Sequence, residues 1–329
     1  MSNDLRDRRP RVLLTNAIHP ALLPQLEAAC EVIVAPDTNA ATLKRLIADV
    51  DGLIVRSMLP PDIFDAAPRL RAVVRHGVGL DMIPVEAATA RGIPVANLPG
   101  SNTTAVVEYC VAAMFHFKRR LATLDARLRS DGWAAARPLA DRSSELGAAV
   151  CGIVGVGAIG ARLGSVVGAL GMRVLGLTRR PEAVPAGIEA ADKTRLFSEA
   201  DIVVLCCPLN EQTRGLVDAA TLALMKPGAV LINVSRGPVV DTVALLDALR
   251  AGRLGGAALD VHDRQPLTGD EPIFDCPNLL LTPHVAGITD TSMAGMSRGS
   301  VDSLLALLRG EQPSNVVNPE VFAADKQPH

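Results

Sequence analysis

Val150-Cys151-Gly152-Ile153-Val154 runs without a break into Gly155-Val156-Gly157-Ala158-Ile159-Gly160, and an Ala-, Leu- and Gly-rich segment follows. A GxGxxG match alone is weak; this one has an apolar strand before it and a helical pattern after it. Gly155 permits the tight turn, Gly157 lets the backbone approach a pyrophosphate, and Gly160 lets helix and strand pack closely. The anion would sit on the helix N-terminus, at the N–H groups of Ala158 and Ile159, where the dipole favours negative charge. The bland alternative is a glycine-rich turn that binds nothing.

Working outward, short Val/Ile/Leu runs alternate with longer stretches of helical period, the pattern of parallel strands buried on both faces by crossover helices. Downstream the predicted strands are Val150–Val154, Val174–Leu177, Ile202–Cys206, Val230–Asn233, Ala257–Leu259 and Leu279–Leu281. Six strands fit one complete doubly wound sheet. Upstream, beyond the polar, Arg-rich stretch Ala126–Glu145, the strands are Val12–Leu14, Val32–Val34, Leu53–Val55, Ala72–Val74 and Pro94–Ala96. Thr42–Ala48 reads as a helix with Leu43, Leu46 and Ile47 on one face, and Asp290–Leu308 as a last helix stopped by Gly310. The tail Ser314–His329 adds little periodicity.

Composition limits the function classes. The 329 residues carry 33 Lys+Arg against 35 Asp+Glu, a net charge of −2, with no basic block to grip nucleic acid. That length fits about two domains of ~150 residues. No uncharged run reaches the roughly 18 residues of a membrane helix, and the start lacks the apolar core of a secretory signal. Cys30, Cys110, Cys151, Cys206, Cys207 and Cys276 show no CxxC spacing. They read as small core fillers in a reducing, cytoplasmic setting, without a metal site. Tyr109 and Trp133, one of each in the chain, read as packing groups.

The second strand of the downstream series decides the cofactor. An NAD site places an acidic residue there to bind the ribose hydroxyls. Eighteen residues past Gly160 this chain has Thr178, then Arg179 and Arg180. A carboxylate would repel a 2′-phosphate, whereas arginine binds it bidentately. The sequence therefore favours NADP over NAD, unless the two arginines are merely solvated.

Arg75-His76-Gly77-Val78-Gly79-Leu80-Asp81, Pro99-Gly100-Ser101-Asn102-Thr103, the Gly155–Gly160 turn, Cys207-Pro208-Leu209, Asn233-Val234-Ser235-Arg236-Gly237, Ala258-Leu259-Asp260-Val261, Thr282-Pro283-His284 and Asn318-Pro319 occur in this order. Together they resemble the D-isomer-specific 2-hydroxyacid dehydrogenase family, over nearly the whole chain. The resemblance implies an α/β protein of two doubly wound parallel-sheet domains. A Rossmann nucleotide domain (101–287) would be inserted in a flavodoxin-like substrate domain (1–100 plus 288–329), with the active site in the cleft and homodimers formed through the nucleotide domain. It implies a keto-acid reductase for a small substrate such as glyoxylate or hydroxypyruvate.

By resemblance, Arg236 is the cation whose fork engages carboxylate and carbonyl oxygens together. His284 is the acid/base, since imidazole titrates near neutral pH. The backbone amides around His76, Gly77 and Val78 cradle the substrate carboxylate, and Arg56 lines the same mouth. Cofactor contacts are implied at Thr103, the Gly155–Gly160 turn, Thr178, Arg179, Arg180, Cys207, Pro208, Thr213, Val234, Ser235, Arg236, Asp260, His284 and Gly287.

One position departs from the family pattern. A Glu stands five residues beyond the Asp of the Leu-Asp-Val motif in the family; counting from Asp260 gives Gln265. An amide orients His284 but cannot stabilise imidazolium by charge. Three readings follow: Gln265 is a neutral orienter, Asp263 supplies the missing anion, or the site has drifted. The last covers a dinucleotide-sensing, corepressor-like protein and a formate-type dehydrogenase, whose pattern also has Gln before Pro.

Overall fold

The computed structural model describes residues 8–324. In chain order β1 (Arg11–Leu14), α1 (Leu23–Ala29), β2 (Glu31–Val34), α2 (Ala40–Ile47), β3 (Gly52–Val55), β4 (Ala72–Arg75), α3 (Val85–Thr89) and β5 (Val95–Ala96) come first. They are followed by α4 (Thr103–Arg119), α5 (Leu121–Ala136), β6 (Val150–Val154), α6 (Ala158–Ala169), β7 (Arg173–Leu177), β8 (Glu189–Ala190) and α7 (Lys193–Glu199). Next are β9 (Ile202–Leu205), α8 (Ala219–Leu224), β10 (Val230–Asn233), α9 (Thr242–Arg250), β11 (Gly256–Leu259) and β12 (Leu279–Leu281). The last helices are α10 (Asp290–Leu308) and α11 (Val321–Ala324). The chain divides into two compact units, with breaks at Asn102/Thr103 and Gly287/Ile288; the first unit holds both chain ends.

The first unit is a parallel five-stranded sheet ordered β2-β1-β3-β4-β5, the order of flavodoxin-like sheets. Alternating side chains of the central strands feed two separate cores, as the period of two requires. Leu13, Leu53, Val55 and Val73 pack with Leu43 and Ile47 of α2. Val12, Leu14, Ile54 and Val74 pack with Leu26 of α1 and Val301 and Leu304 of α10. The tail, which shows little periodicity, is nonetheless built in. Val316 bridges Ala96 in antiparallel fashion, and Val317 N–H donates to Val95 O at 2.8 Å. Buried Asn318 accepts the Val95 N–H (2.8 Å) and donates to Ile93 O (3.0 Å) and Thr89 Oγ1 (2.9 Å). The edge of the sheet is thereby covered.

The second unit is a seven-stranded parallel sheet ordered β12-β11-β10-β9-β6-β7-β8. Strand order reverses between β6 and β9, and ligands of such sheets bind at that switch point, beyond the carboxyl ends of the strands. One feature departs from the sequence expectation. The sheet has seven strands rather than six, because Glu189–Ala190 pairs with Leu175–Gly176. That strand is two residues long and exposed on both, so it carries no apolar signal. The Arg-rich stretch Ala126–Glu145, read from sequence only as a polar stretch between the two strand series, begins inside α5, which carries the i,i+4 pairs Arg127–Asp131 (2.8 Å) and Arg129–Asp125 (2.9 Å).

Candidate active site

The glycine turn has the shape its sequence implies. Gly155 takes φ +94, and a Cβ there would lie 2.7 Å from Cys207 Cα. A Cβ on Gly160 would overlap the Gly155 carbonyl, whereas Gly157 faces open space. Gly157 caps α6 without any side-chain hydrogen bond. The first N–H groups of that helix are left for an anion, and the cradle fits a dinucleotide pyrophosphate.

At the end of β7 the arginines differ sharply from their neighbours. Arg173 and Arg195 are clamped on Glu189 and Glu199 by four ion pairs. Arg179 and Arg180 are exposed and enter no ion pair among the described residues. Thr178 is half-buried, and its hydroxyl accepts the Arg180 N–H at 3.3 Å. The three residues that follow β7, Thr178, Arg179 and Arg180, include no carboxylate.

Three adjacent strand ends build the rest. Asn233, Leu259 and Leu281 stand in register across β10, β11 and β12. The chain then continues to Arg236, to the Asp260–Gln265 loop and to His284, all at one edge of one sheet. Buried Asn233 shapes the Arg236 turn: its Oδ1 accepts the Ser235 N–H, and its amide donates to Arg236 O, both at 3.0 Å. The half-buried Arg236 guanidinium donates to Ser235 O at 2.7 Å. Gly237 then passes so close to the His262–Asp263 backbone that any Cβ would overlap it. That close approach brings the arginine turn against the loop carrying Gln265.

His284 Nδ1 lies 3.0 Å from Gln265 Oε1. An amide oxygen only accepts, so the ring carries a proton on Nδ1. The Gln265 amide donates weakly to His262 O at 3.4 Å. Asp263 turns elsewhere, accepting the Thr242 hydroxyl at 2.6 Å.

Several residues expected at the cofactor are engaged within the protein. The Asp260 carboxylate, 1% exposed, accepts the Thr282 hydroxyl (2.7 Å) and the N–H groups of Val285 (2.7 Å) and Ala286 (2.9 Å). It holds the His284 loop. The Thr213 hydroxyl donates to Pro208 O at 2.7 Å and accepts the Asn210 N–H at 2.8 Å, fastening its own turn. The buried Ser235 hydroxyl donates to Cys207 O. Thr103 opens α4, Val234 follows β10, and Gly287 closes the unit.

In the first unit the loop after β4 differs from expectation in detail. The His76 N–H donates to Val55 O and the Gly77 N–H to Arg75 O, each at 2.9 Å, so neither amide is left for a ligand. Four successive carbonyls are turned inward: His76 and Gly79 onto Arg75 (2.6 and 3.0 Å), Gly77 onto Leu98 N–H (2.9 Å) and Val78 onto Asn97 (2.7 Å). Among the described residues the Val78 and Gly79 amides donate no hydrogen bond to a protein group. His76 is buried, with Nε2 2.8 Å from Ser297 Oγ, an oxygen that also accepts the His19 N–H at 2.9 Å. Burial, with Arg56 and Arg75 adding repulsion, pushes its pKa down to about 4. Arg56 donates to Ala17 O and lies 3.6 Å from the Met293 sulfur, and burial lowers its pKa.

Comparison with known proteins decides the family. The D-isomer specific 2-hydroxyacid dehydrogenase NAD binding domain matches residues 111–286. The chain belongs to the D-isomer specific 2-hydroxyacid dehydrogenase family. A glyoxylate reductase of Thermococcus kodakarensis is 36% identical to this dehydrogenase over 330 residues, covering 97% of this chain and 99% of the relative. A crystal structure from Thermus thermophilus superposes with a TM-score of 0.86 at 35% identity, covering 93% of this chain and 99% of the other. An NADPH-dependent glyoxylate/hydroxypyruvate reductase from Sinorhizobium meliloti, solved with NADP and malonate, gives a TM-score of 0.82 at 30% identity, covering 94% and 97%.

The dehydrogenase is an NAD(P)-dependent oxidoreductase, and its glycine turn and α6 N-terminus are the residues that fit the cofactor. Among the described residues no cluster of three or more His, Cys, Asp or Glu is placed to hold a metal ion, and no helix is long and apolar enough to cross a membrane. Sequence reasoning misses Tyr109 and His262. Each stands isolated in the sequence, yet Tyr109 Oη is 2.7 Å from Thr282 Oγ1 and His262 Nε2 is 3.0 Å from Thr282 O. Only three-dimensional adjacency to the Thr282-Pro283-His284 segment reveals these contacts.

Proposed function

We propose that this dehydrogenase reduces a small 2-keto acid of the glyoxylate or hydroxypyruvate kind, with NADPH preferred over NADH. The observation that carries the chemistry is the Gln265–His284 contact at the sheet edge that also bears Arg236. Arg236 neutralises the substrate carboxylate and polarises its carbonyl, a planar task that lysine performs poorly. His284 donates the proton that completes the new hydroxyl, from the ring nitrogen opposite the one held by Gln265. The bound cofactor supplies a hydride. Gln265 acts as a neutral orienter; the Thr242 contact of Asp263 weighs against Asp263 as the anion.

The preference for NADPH rests on Thr178 and on the exposed cations Arg179 and Arg180, which follow β7 where an NAD site carries an acidic residue. The named activities of the Thermococcus and Sinorhizobium relatives support the substrate class. A homodimer is the proposed assembly: α5 buries only Ala136 and leaves Leu121, Leu128 and Trp133 exposed, an apolar surface of the kind that marks an interface. Six free thiols suit a reducing compartment such as the cytoplasm. The test is a panel of small 2-keto acids against NADPH and NADH at several pH values. Turnover confined to bulky keto acids, or faster with NADH, contradicts the corresponding part of the proposal.

A further inference from the structure

One side chain of α4 reaches into the hydrogen bonds that hold the His284 loop. Tyr109 Oη lies 2.7 Å from Thr282 Oγ1, and the Thr282 hydroxyl donates to Asp260 Oδ1 at 2.7 Å. The Thr282 hydroxyl has one proton and gives it to Asp260, so the direction of the chain is fixed: Tyr109 donates to Thr282, and Thr282 to Asp260. Asp260 Oδ1 also accepts the Val285 N–H and Oδ2 accepts the Ala286 N–H, from the two residues that follow His284. On the other side of His284, the Thr282 carbonyl accepts the His284 N–H at 3.1 Å and lies 3.0 Å from His262 Nε2. The backbone is therefore held on both flanks of His284.

That grip has work to do, because His284 takes φ +59, a left-handed conformation that residues with a Cβ rarely adopt. Such a conformation persists where its surroundings over-determine it. A buried carboxylate is a demanding anchor, and each donor it loses weakens its hold on the remaining amides. Burial pushes the Tyr109 hydroxyl up to about 12, so it stays a proton donor at every pH at which the enzyme would be assayed.

We propose that Tyr109 is a positioning residue for His284, acting through Thr282 and Asp260 to fix the backbone of His284 and so the aim of its ring. This rests on the reading of His284 as the proton donor. Tyr109 touches no reacting atom. Its effect is confined to the step that His284 serves, and cofactor binding at the β6 turn is independent of it.

Tyr109→Phe keeps the ring and removes only the donor. In keto-acid reduction kcat falls about 3- to 10-fold, the scale of one hydrogen bond, while NADPH affinity by fluorescence titration holds within about twofold. Thr282→Val cuts the chain at its middle and lowers kcat further; Thr282→Ser restores it. Added to Thr282→Val, Tyr109→Phe costs nothing more, because the link is already broken. A Tyr109→Phe variant with unchanged kcat, with the same loss in both backgrounds, or with NADPH binding weakened in proportion, overturns the proposal alone. A wild-type enzyme that reduces no 2-keto acid, or a His284→Asn variant at full rate, overturns the reading of His284 and the proposal with it.

Discussion

Gln265 Oε1 stands 3.0 Å from Nδ1 of His284, an uncharged acceptor in the place where an anion would hold the imidazole protonated. Gln265→Glu puts a carboxylate at that distance and favours the imidazolium form. The pKa of His284 rises, so its proton stays available to higher pH, and the limb on which reduction is lost with rising pH moves up by about one unit or more. The pH dependence of kcat/KM measures the shift. If that profile stays put while Asp263→Asn moves it, Asp263 is the charge partner instead.

Arg179→Ala removes one of the two exposed cations beside Thr178. A charge-assisted hydrogen bond to phosphate is worth about 1.5–3 kcal/mol. We expect kcat/KM for NADPH to fall about 10- to 100-fold, with NADH changed by less than about threefold. Equal losses with both cofactors would mean that the arginine serves the loop rather than the 2′-phosphate.

His76 gives the first unit an acid sensitivity. Its folded pKa of about 4 lies below the ~6.5 of an unfolded histidine. The unfolded chain therefore binds the extra proton, and stability is complete above about pH 6.5 and lost as pH falls toward 4. The full loss is about 3 kcal/mol, from a shift of roughly two units or more at 1.36 kcal/mol each. His76→Gln keeps the polar contact to Ser297 without titrating, and thermal unfolding across this pH range should then show a flatter slope. An unchanged slope would assign the acid sensitivity to other groups.

Asn318→Ala strips three hydrogen bonds from the junction of tail and β5 and leaves the buried Val95 N–H without its partner. The cost is about 2–3 kcal/mol. Hydrogen exchange reads it locally: protection falls at Val95 and Val317, while β6 and β9 in the other unit keep theirs. Retained protection at Val95 would show that the tail docks without Asn318.

Much of this architecture is legible because buried parallel strands write themselves as uninterrupted aliphatic runs. β1, β3 and β4 lie within a residue of their expected bounds, and α10 spans Asp290–Leu308 as its pattern and Gly310 indicate. β8 escapes because two exposed residues held by backbone pairing and by the Glu189 ion pairs carry no hydrophobic period. α5 escapes because its helix rests on local charge pairs rather than on a buried stripe.

The candidate site divides in the same way. The glycines and the Arg236, Gln265 and His284 positions are visible as motifs. Which amides of the His76–Gly79 loop face outward is not, since that depends on Arg75, Asn97 and Leu98 turning the carbonyls inward. The hydrogen bonds by which Asp260 and Thr213 hold their loops are not legible in the sequence. Tyr109 is invisible to spacing, being 173 residues from its partner Thr282.

The most direct test of the whole account is NADPH oxidation followed in the presence of glyoxylate or hydroxypyruvate, for the wild-type enzyme beside Arg236→Lys and His284→Asn. We expect steady turnover by the wild type and losses of about 100-fold or more in each variant, the scale of removing an oxyanion-stabilising donor or a general acid. Absence of turnover across the small keto acids, or variants as fast as the wild type, would contradict the assignment of Arg236 and His284 to the chemistry.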